Sequence, residues 1–381
     1  MHLIFDNNKT ILDVLKEKPE KKFKLISGNY SNHKFNNLLI KGDNLNVMKF
    51  LLEDFNLKHK IDLVYIDIPF ATNNVFRAGV SRTSTISSSR NDPIAYNDKL
   101  KGKDFLEFIR ERLIILREFM SDCSSIYLHI DYKIGHYIKI IMDDVFGFDK
   151  FRNDITRIKC NPKNFKRNAY GNVKDLILFY TKTNNYVWNE PKIKMDGENI
   201  IKLFNKIDDK RRRYTTNPLH APGETLNGKS GKKWRNLEPP KGRHWRYAPE
   251  VLDELDKKGL LEWSDNGVPR KIIYADDYGM KRLQDIWEFK DPQNPIYPTE
   301  KNLALLELII KTSSNENQIV MDAFCGSGGT LYSAAKLNRN WIGIDKSDVA
   351  IDITKKRFST SENTLYFNQY FEYCYLEETE Y

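Results

Sequence analysis

Between Thr299 and Phe358 the sequence alternates between the spacings that helix and strand geometry impose, and this limits the fold more than any other feature. Leu303, Leu306 and Ile310 recur at helical spacing, which predicts a helix over about 299–311. Gln318-Ile319-Val320-Met321-Asp322 is short and apolar through its middle, as a buried strand requires. Ala323-Phe324-Cys325-Gly326-Ser327-Gly328-Gly329 is a glycine loop. A helix over 330–338 follows, then the strand Trp341-Ile342-Gly343-Ile344 ending in Asp345, then a helix over 348–358. A strand, a helix and a second buried strand imply a parallel pair, because a helical crossover returns the chain to the same end of the sheet. The chain is therefore predicted to be α/β.

The amino-terminal half repeats this pattern. Asn37-Leu38-Leu39-Ile40 reads as a strand, Gly42 as a turn and 44–53 as a helix. Asp43 is read as the helix cap, with a polar contact to a ligand as its other reading. Ile61-Asp62-Leu63-Val64-Tyr65-Ile66 is a strand. Phe105, Phe108, Ile109, Leu113, Leu116 and Phe119 give a helix over 104–120. A strand over 125–130, a helix over 134–145 and strands over 155–159 and 175–180 follow. The fold class expected is a doubly wound, mostly parallel sheet. His129 ends a strand, and a structural histidine is favoured over a catalytic base. A short amphipathic stretch, Thr10 to Glu17, predicts a peripheral helix. The residues that run to Tyr381 are acidic and aromatic and receive no role.

The composition changes between Asn184 and Pro295. Basic clusters at Lys210-Arg211-Arg212-Arg213, Lys232-Lys233 and Lys241-Gly242-Arg243-His244-Trp245-Arg246-Tyr247 are interleaved with Gly, Pro, Trp and Tyr. Helical period returns there only over 249–258. Arginines among aromatics suit phosphate contact and base stacking, against the plainer reading of a solvated insertion. The net charge of +9 over 381 residues permits a polyanionic partner. Three regions are expected: 1–183, an inserted recognition region 184–295, and 296–381. Cys123, Cys160, Cys325 and Cys374 have no metal or disulfide spacing and read as reduced thiols. No apolar run reaches membrane-spanning length and the start lacks a signal-peptide core, so a cytoplasmic protein with no metal is expected. The polar stretch from Ala71 to Lys103 predicts a loop that closes over a substrate.

Two loops carry the candidate chemistry. Asp67-Ile68-Pro69-Phe70 leaves the strand 61–66 with a carboxylate, a fixed turn and a ring. It suits holding a planar, amine-bearing base, although a plain strand exit would use the same residue types. Asp67 and the Ile68 carbonyl can accept the amine hydrogens, and Phe70 can stack on the ring. The glycine loop and Asp345 form a nucleoside-binding layout, with Asp345 placed for ribose hydroxyls. Leu331 stands where a dinucleotide fingerprint needs glycine, and no Gly-Lys-Ser/Thr ends the loop.

Phe324-x-Gly326-x-Gly328 resembles the cofactor loop of S-adenosylmethionine-dependent amino-methyltransferases, and Asp67-Ile68-Pro69-Phe70 resembles their Asp-Pro-Pro-Tyr/Phe motif. The catalytic motif comes first, then a variable region, then the cofactor loop. This order is similar to that of the β group of DNA adenine-N6 and cytosine-N4 methyltransferases. Gly42-Asp43-Asn44, His220-Ala221-Pro222-Gly223-Glu224, Lys241-Gly242-Arg243-His244-Trp245 and Gln284-Asp285-Ile286-Trp287 belong to the same resemblance. So does Tyr297-Pro298-Thr299-Glu300-Lys301, which looks like the family's Thr-Gln-Lys-Pro segment over the cofactor.

The resemblance implies catalytic roles for Asp67, Ile68, Pro69 and Phe70. It implies cofactor contacts from Asp43, Thr299, Lys301, Asp322, Phe324, Gly326, Gly328 and Asp345, and DNA contacts from Arg211, Arg212, Arg213, Arg243, Trp245 and Arg246. It implies S-adenosylmethionine as cofactor and double-stranded DNA as substrate, with base flipping, in a restriction-modification setting. A cognate restriction endonuclease and a homodimer stay open as partners. Asp rather than Ser at the first motif position favours adenine over cytosine. Ile68 replaces the family's first proline, which leaves a weakened DNA-binding relative as an alternative. Gly329 replaces the first threonine after the cofactor loop, and Asn302 replaces a proline.

Overall fold

The computed structural model describes residues 9–28, 37–68, 75–77, 94–97, 102–162, 166, 168–195, 197–225, 227–264, 267–278, 280–293, 295–297, 300–361 and 369–379. Pro69, Phe70 and Thr299 lie outside the described residues. The chain divides into two compact units, Met1–Pro191 with Gln284–Tyr381, and Lys192–Leu283.

The larger unit is built on a 10-stranded sheet. Its order is Lys22–Ser27, Tyr373–Thr379, Asn37–Lys41, Asn340–Asp345, Ile319–Asp322, Ile61–Asp67, Met120–Ile130, Lys174–Thr181, Phe151–Ile158, Ile286–Glu288. From Tyr373–Thr379 through Met120–Ile130 every pairing is parallel. Lys174–Thr181 and Lys22–Ser27 run antiparallel to their neighbours. The sheet is thus doubly wound and mostly parallel, as the alternating periods predict.

Alternate residues of these strands face opposite helix layers. Leu38, Ile40, Val64, Ile66, Ile126, Leu128, Met321, Ile342 and Ile344 share one core with residues of helices Asn44–Asp54, Gly102–Phe119 and Gly135–Phe146. On the other face Tyr127 stacks on Phe179 at 4.4 Å, and its hydroxyl meets Ser313 Oγ at 2.8 Å at the end of helix Leu303–Ser313. Each buried Ile or Leu contributes about 1.5–3 kcal/mol, so the sheet interior dominates the unit's stability.

Local chemistry sets the element ends. Asp43 caps helix Asn44–Asp54, accepting from Leu45 N at 3.0 Å. Asn302 caps helix Leu303–Ser313 through Ala304 N at 2.9 Å, so this helix starts later than the spacing predicts. Thr10 and Asp13 form a reciprocal capping box on helix Ile11–Lys16.

Some strands escaped the sequence reading. The acidic, aromatic stretch Tyr373–Thr379 inserts between Lys22–Ser27 and Asn37–Lys41. Ile286–Glu288 pairs with Phe151–Ile158, so residues 284–295 belong to the larger unit rather than to the insertion. Val75–Arg77 pairs with Ile94–Asn97, and the remainder of the expected closing loop over 71–101 lies outside the described residues.

The smaller unit carries a 4-stranded antiparallel sheet of Lys206–Ile207, Arg213–Pro218, Pro269–Tyr274 and Leu261–Trp263. Leu219, Trp234, Trp245, Leu252 and Leu255 form its core, the leucines at 252 and 255 coming from helix Pro249–Lys257. A further helix, Gly197–Leu203, lacks the periodicity that would have predicted it.

Candidate active site

Strands Ile61–Asp67 and Ile319–Asp322 are neighbours, with Val320 opposite Leu63 and Met321 opposite Val64. From the first, the chain returns to the sheet at Met120–Ile130 on one side. From the second, it returns at Asn340–Asp345 on the other. Right-handed crossovers then place the connecting helices on opposite faces, which opens a crevice between the two strand ends. The carboxylates of Asp67 and Asp322 both stand at that crevice.

Asp67 is held on one side only. Its Oδ2 pairs with Lys301 Nζ at 2.5 Å, and the lysine side chain is 7% exposed. Its Oδ1 is buried and has no hydrogen-bond partner among the described residues. A buried acceptor left unpaired costs about 1–3 kcal/mol, so this atom calls for a donor. Ile68 follows with its side chain 2% exposed, packed into the core cluster. The side chain that replaces proline is therefore stabilised by burial.

The glycine loop is fixed from three directions. Gly326 N donates to Asp345 Oδ2 at 2.8 Å, Cys325 N to Ile344 O at 3.0 Å, and Thr354 Oγ1 to Gly326 O at 3.1 Å. Gly328 caps helix Gly329–Lys336 in the left-handed region at φ 72°, and a Cβ there would lie 2.7 Å from the Thr354 side chain. Only glycine meets both conditions. Asp345 Oδ1 accepts from Ser347 N at 2.8 Å. Both oxygens of Asp345 therefore already organise backbone, with Lys346 a further backbone donor, and the carboxylate keeps lone-pair capacity for a hydroxyl.

Burial raises two carboxyl groups of this site, Asp322 and Asp345. Asp322 is pushed up to about 7 by desolvation, against hydrogen bonds from Thr330 and Phe324 N and with Asp67 and Asp345 nearby. Asp345 is raised for the same first reason, against its backbone donors. The Cys325 thiol is raised well above its ordinary value by burial. These acids favour a positively charged ligand, which would relieve the cost of ionising them.

Tyr297, Glu300 and Lys301 connect the two loops. Lys301 pairs with Asp67, and Glu300 pairs with Arg357 Nη2 at 2.5 Å. Arg357 also donates to Ser327 O at 2.9 Å. Tyr297 is 6% exposed, and its ring faces Gly326, where an added Cβ would lie 3.5 Å from it.

The sequence reading missed a supporting layer under the cofactor loop. Asn44 Nδ2 donates to Ala323 O at 2.9 Å, and Asn44 Oδ1 accepts from Arg112 Nε at 2.6 Å. Arg112 also pairs with Asp43 at 3.3 Å and lies 3.4 Å over the Phe108 ring, whose own neighbour is Phe324 at 6.3 Å. Burial brings Arg112 down to about 10. Asp43 thus caps a helix and anchors Arg112. The available signal was a single arginine on the apolar stripe of the helix that carries Phe105, Phe108, Ile109, Leu113 and Leu116.

Behind Asp67 runs a buried polar chain. In the next strand His129 lies opposite Asp67, fully buried. Its Nε2 lies 3.3 Å from Asp175 Oδ2, and its Nδ1 lies 3.0 Å from Tyr65 OH. Burial lowers His129, so the ring is neutral. Because Asp175 only accepts, Nε2–H donates to it and Nδ1 accepts from Tyr65. Asp175 also takes Lys159 at 2.6 Å and Arg157 at 3.5 Å, and Arg157 reaches Asp291 at 2.5 Å. His129 therefore sits in a structural network, as the sequence reading favoured.

The expected DNA-contacting residues lie in the smaller unit. Arg211, Arg243 and Arg246 are exposed. Arg212 is exposed but forms a fork with Asp208 at 2.8 Å and lies 3.9 Å over the Tyr274 ring. Arg213 is half-buried and donates to Phe204 O at 3.4 Å. Trp245 is a correction: it is 3% exposed, donates to Lys232 O at 3.1 Å and packs edge-on against Trp234. A ring so enclosed is core, not a stacking surface. No helix among the described residues is long and apolar enough to cross a membrane.

A DNA methylase family model, N6_N4_Mtase, matches residues 61–356. The type II methyltransferase M.EcaI of Enterobacter cloacae is 41% identical over 306 residues, which is 79% of this chain and 65% of the relative. The StyLTI Mod subunit of a type III restriction-modification enzyme from Salmonella typhimurium is 26% identical over 354 residues, 84% of this chain and 52% of the relative. The crystal structure of the M1.HpyAVI-SAM complex aligns with 18% identity and a TM-score of 0.43, covering 84% of this chain and 99% of that one. The chain thus spans 65% and 52% of the two curated relatives. The matched span takes in the Asp67 crevice, the 295–301 segment and the glycine loop together, and the chain belongs to the N6/N4 DNA methylase family.

Proposed function

We propose that this protein transfers a methyl group from S-adenosylmethionine to the exocyclic N6 of adenine in duplex DNA, as a modification enzyme of a restriction-modification system. The observation that carries this reading is Asp67 Oδ1, a buried acceptor without a partner among the described residues, at the strand end beside the glycine loop. Family membership and the Asp at the first motif position support it.

The site suits the cofactor. The acidic groups of Asp67 and Asp322 favour its positive charges, the glycine loop admits close backbone approach, and Asp345 keeps lone pairs for the ribose. Asp43 is committed to Leu45 N and Arg112, so its part is to hold the loop rather than to bind directly. When bound, S-adenosylmethionine supplies an electrophilic methyl group on a sulfonium sulfur. Lys301, Phe324, Gly326 and Gly328 would line its place, with Thr299 completing the segment.

This chain's residues position the acceptor. Asp67 Oδ1 takes one amine hydrogen and the Ile68 carbonyl takes the other, which turns the nitrogen lone pair away from the ring. Pro69 fixes the turn and Phe70 stacks on the extruded base. Asp67 also stabilises the ammonium charge that develops on the nitrogen. The unit 192–283 supplies the duplex contacts, with Arg211, Arg213, Arg243 and Arg246 on phosphates. Duplex DNA and an endonuclease of the same specificity are the partners that follow, and a homodimer is tested by sedimentation.

The test is mass spectrometry of nucleosides from mixed-sequence DNA incubated with the full chain and labelled cofactor. N6-methyladenine is expected. N4-methylcytosine would move the assignment to the other base of the family. DNA binding without any methylated base would make the chain the catalytically weakened relative that Ile68 suggests.

A further inference from the structure

The smaller unit contains a cleft of about 340 Å³ lined by Asn217, Pro218, Arg246, Tyr247, Lys271 and Ile273. It is built by register. Asn217 lies opposite Lys271 and Thr215 opposite Ile273, so one face of the antiparallel pair supplies its floor. Arg246 and Tyr247 follow the strand Arg243–Trp245, whose buried Trp245 anchors them.

The lining holds two cations and no carboxylate. Lys271 Nζ donates to Tyr247 OH at 3.0 Å, a neutral partner that leaves its charge uncompensated. The Arg246 guanidinium makes no hydrogen bond or ion pair among the described residues, although its backbone N donates to Leu219 O at 2.6 Å. Further cations converge nearby. His220 is held low by burial and by Arg243, Arg246 and Arg270. Arg243 donates to His220 Nδ1 at 3.1 Å. Cations gathered round a cleft without an acid favour an anion there. Pro218, Ile273 and the Tyr247 ring give an apolar wall. Asn217 is exposed, and its carboxamide offers a donor and an acceptor together.

We propose that this cleft receives one nucleotide unit of the DNA, with its phosphate between Arg246 and Lys271, its base against Pro218, Tyr247 and Ile273, and its edge read by Asn217. The volume lies at the small end of ligand clefts, enough for one nucleotide and too small for a duplex. The carboxamide pairs best with an adenine edge, so Asn217 specifies one position of the recognition sequence. The inference rests on the DNA-methyltransferase reading and adds to it the division of labour between affinity and sequence readout.

The test uses the full chain and its Arg246→Ala, Lys271→Ala, Lys271→Arg and Asn217→Ala variants. DNA binding is measured by fluorescence anisotropy across salt concentrations. Methylation of a randomised duplex library is read by sequencing. Arg246→Ala and Lys271→Ala are expected to weaken binding evenly across sequences and to lower the salt slope by about 1 each. Lys271→Arg is expected to restore the slope. Asn217→Ala is expected to relax one position of the methylated sequence by about tenfold and to leave the salt slope unchanged. Unchanged slopes in both cation variants, or an unchanged sequence profile in Asn217→Ala, would overturn the cleft assignment. A wild-type chain that neither binds nor methylates DNA would remove the parent reading, and the cleft proposal with it. The Arg246 guanidinium makes no hydrogen bond or ion pair among the described residues, so an effect of Arg246→Ala on binding is not a loss of folded-state contacts.

Discussion

Asp67 joins a buried cation on one oxygen to an unpaired acceptor on the other, and the two halves respond differently to substitution. Asp67→Asn keeps the shape but weakens the hold on the amine, and single-turnover methylation should fall about 100-fold or more with cofactor affinity within a few fold. Equal rates by rapid-quench measurement would take Asp67 out of the mechanism. Asp67→Ala also removes the carboxylate that Lys301 pairs with in a nearly closed environment, so this variant should melt several degrees lower as well. Asp322 makes a separate prediction about pH. Its folded value, about 7, is raised above the ordinary carboxylate value of 3.8. The folded protein without cofactor therefore holds more protons than the unfolded chain between those values, and the stabilising share of protonated Asp322 is lost as pH rises through about 7. A cationic ligand favours the ionised form, so cofactor binding should release a proton below about pH 7, and affinity should rise with pH and level off above it. Calorimetry in buffers of different ionisation enthalpy measures this directly, and buffer-independent heats at pH 6 would refute it.

The helix Gly102–Phe119 and the glycine loop show which parts of the molecule its sequence reveals. The placement of Asp67, Asp322, Asp345 and the glycine run at neighbouring strand ends was readable, because each rests on a short run of period or a positive-φ glycine. Lys301 opposite Asp67, Glu300 with Arg357, and Asn44 with Arg112 were not readable as contacts. They join residues far apart in sequence, and no local pattern reports such pairing. The strands Lys22–Ser27 and Tyr373–Thr379 were missed for another reason. One is the sheet's edge, exposed along most of its length, and the other is charged over its final residues, so neither shows clean alternation. The support beneath the loop can be tested at this scale. Arg112→Met should keep the Phe108 packing but leave Asn44 Oδ1 and Asp43 without their cation. A loss of about 2 kcal/mol in chemical denaturation and weaker cofactor binding are expected. Gly328→Ala should cost about 2 kcal/mol through both its backbone angle and the Thr354 contact. Full stability in either variant would mean the loop relaxes without cost.

At the scale of the whole molecule, distant stretches of chain complete one sheet. Asn37 Nδ2 donates to Tyr370 O and Glu372 O at 3.0 and 2.8 Å, and Trp341 Nε1 donates to Tyr370 O at 2.8 Å. Removing residues 369–381 would unpair Asn37–Lys41 along one side and take from Lys22–Ser27 the strand it pairs with among the described residues. Aggregation on expression is expected, read as loss of monomer by size exclusion, and a soluble cooperative product would contradict this account. The smaller unit has its own core of Trp234, Trp245, Leu219, Leu252 and Leu255, so changes to its exposed arginines should leave melting of the larger unit unaltered. The one-sided grip on Asp67 also bears on product multiplicity. With Lys301 on Oδ2, the acceptor of this carboxylate that has no partner among the described residues is Oδ1, and the proposed arrangement needs the Ile68 carbonyl for the amine's remaining hydrogen. Under that arrangement a nitrogen already carrying one methyl group can satisfy only one of the two acceptors, so a second addition is disfavoured and the dimethylated base should go unmade.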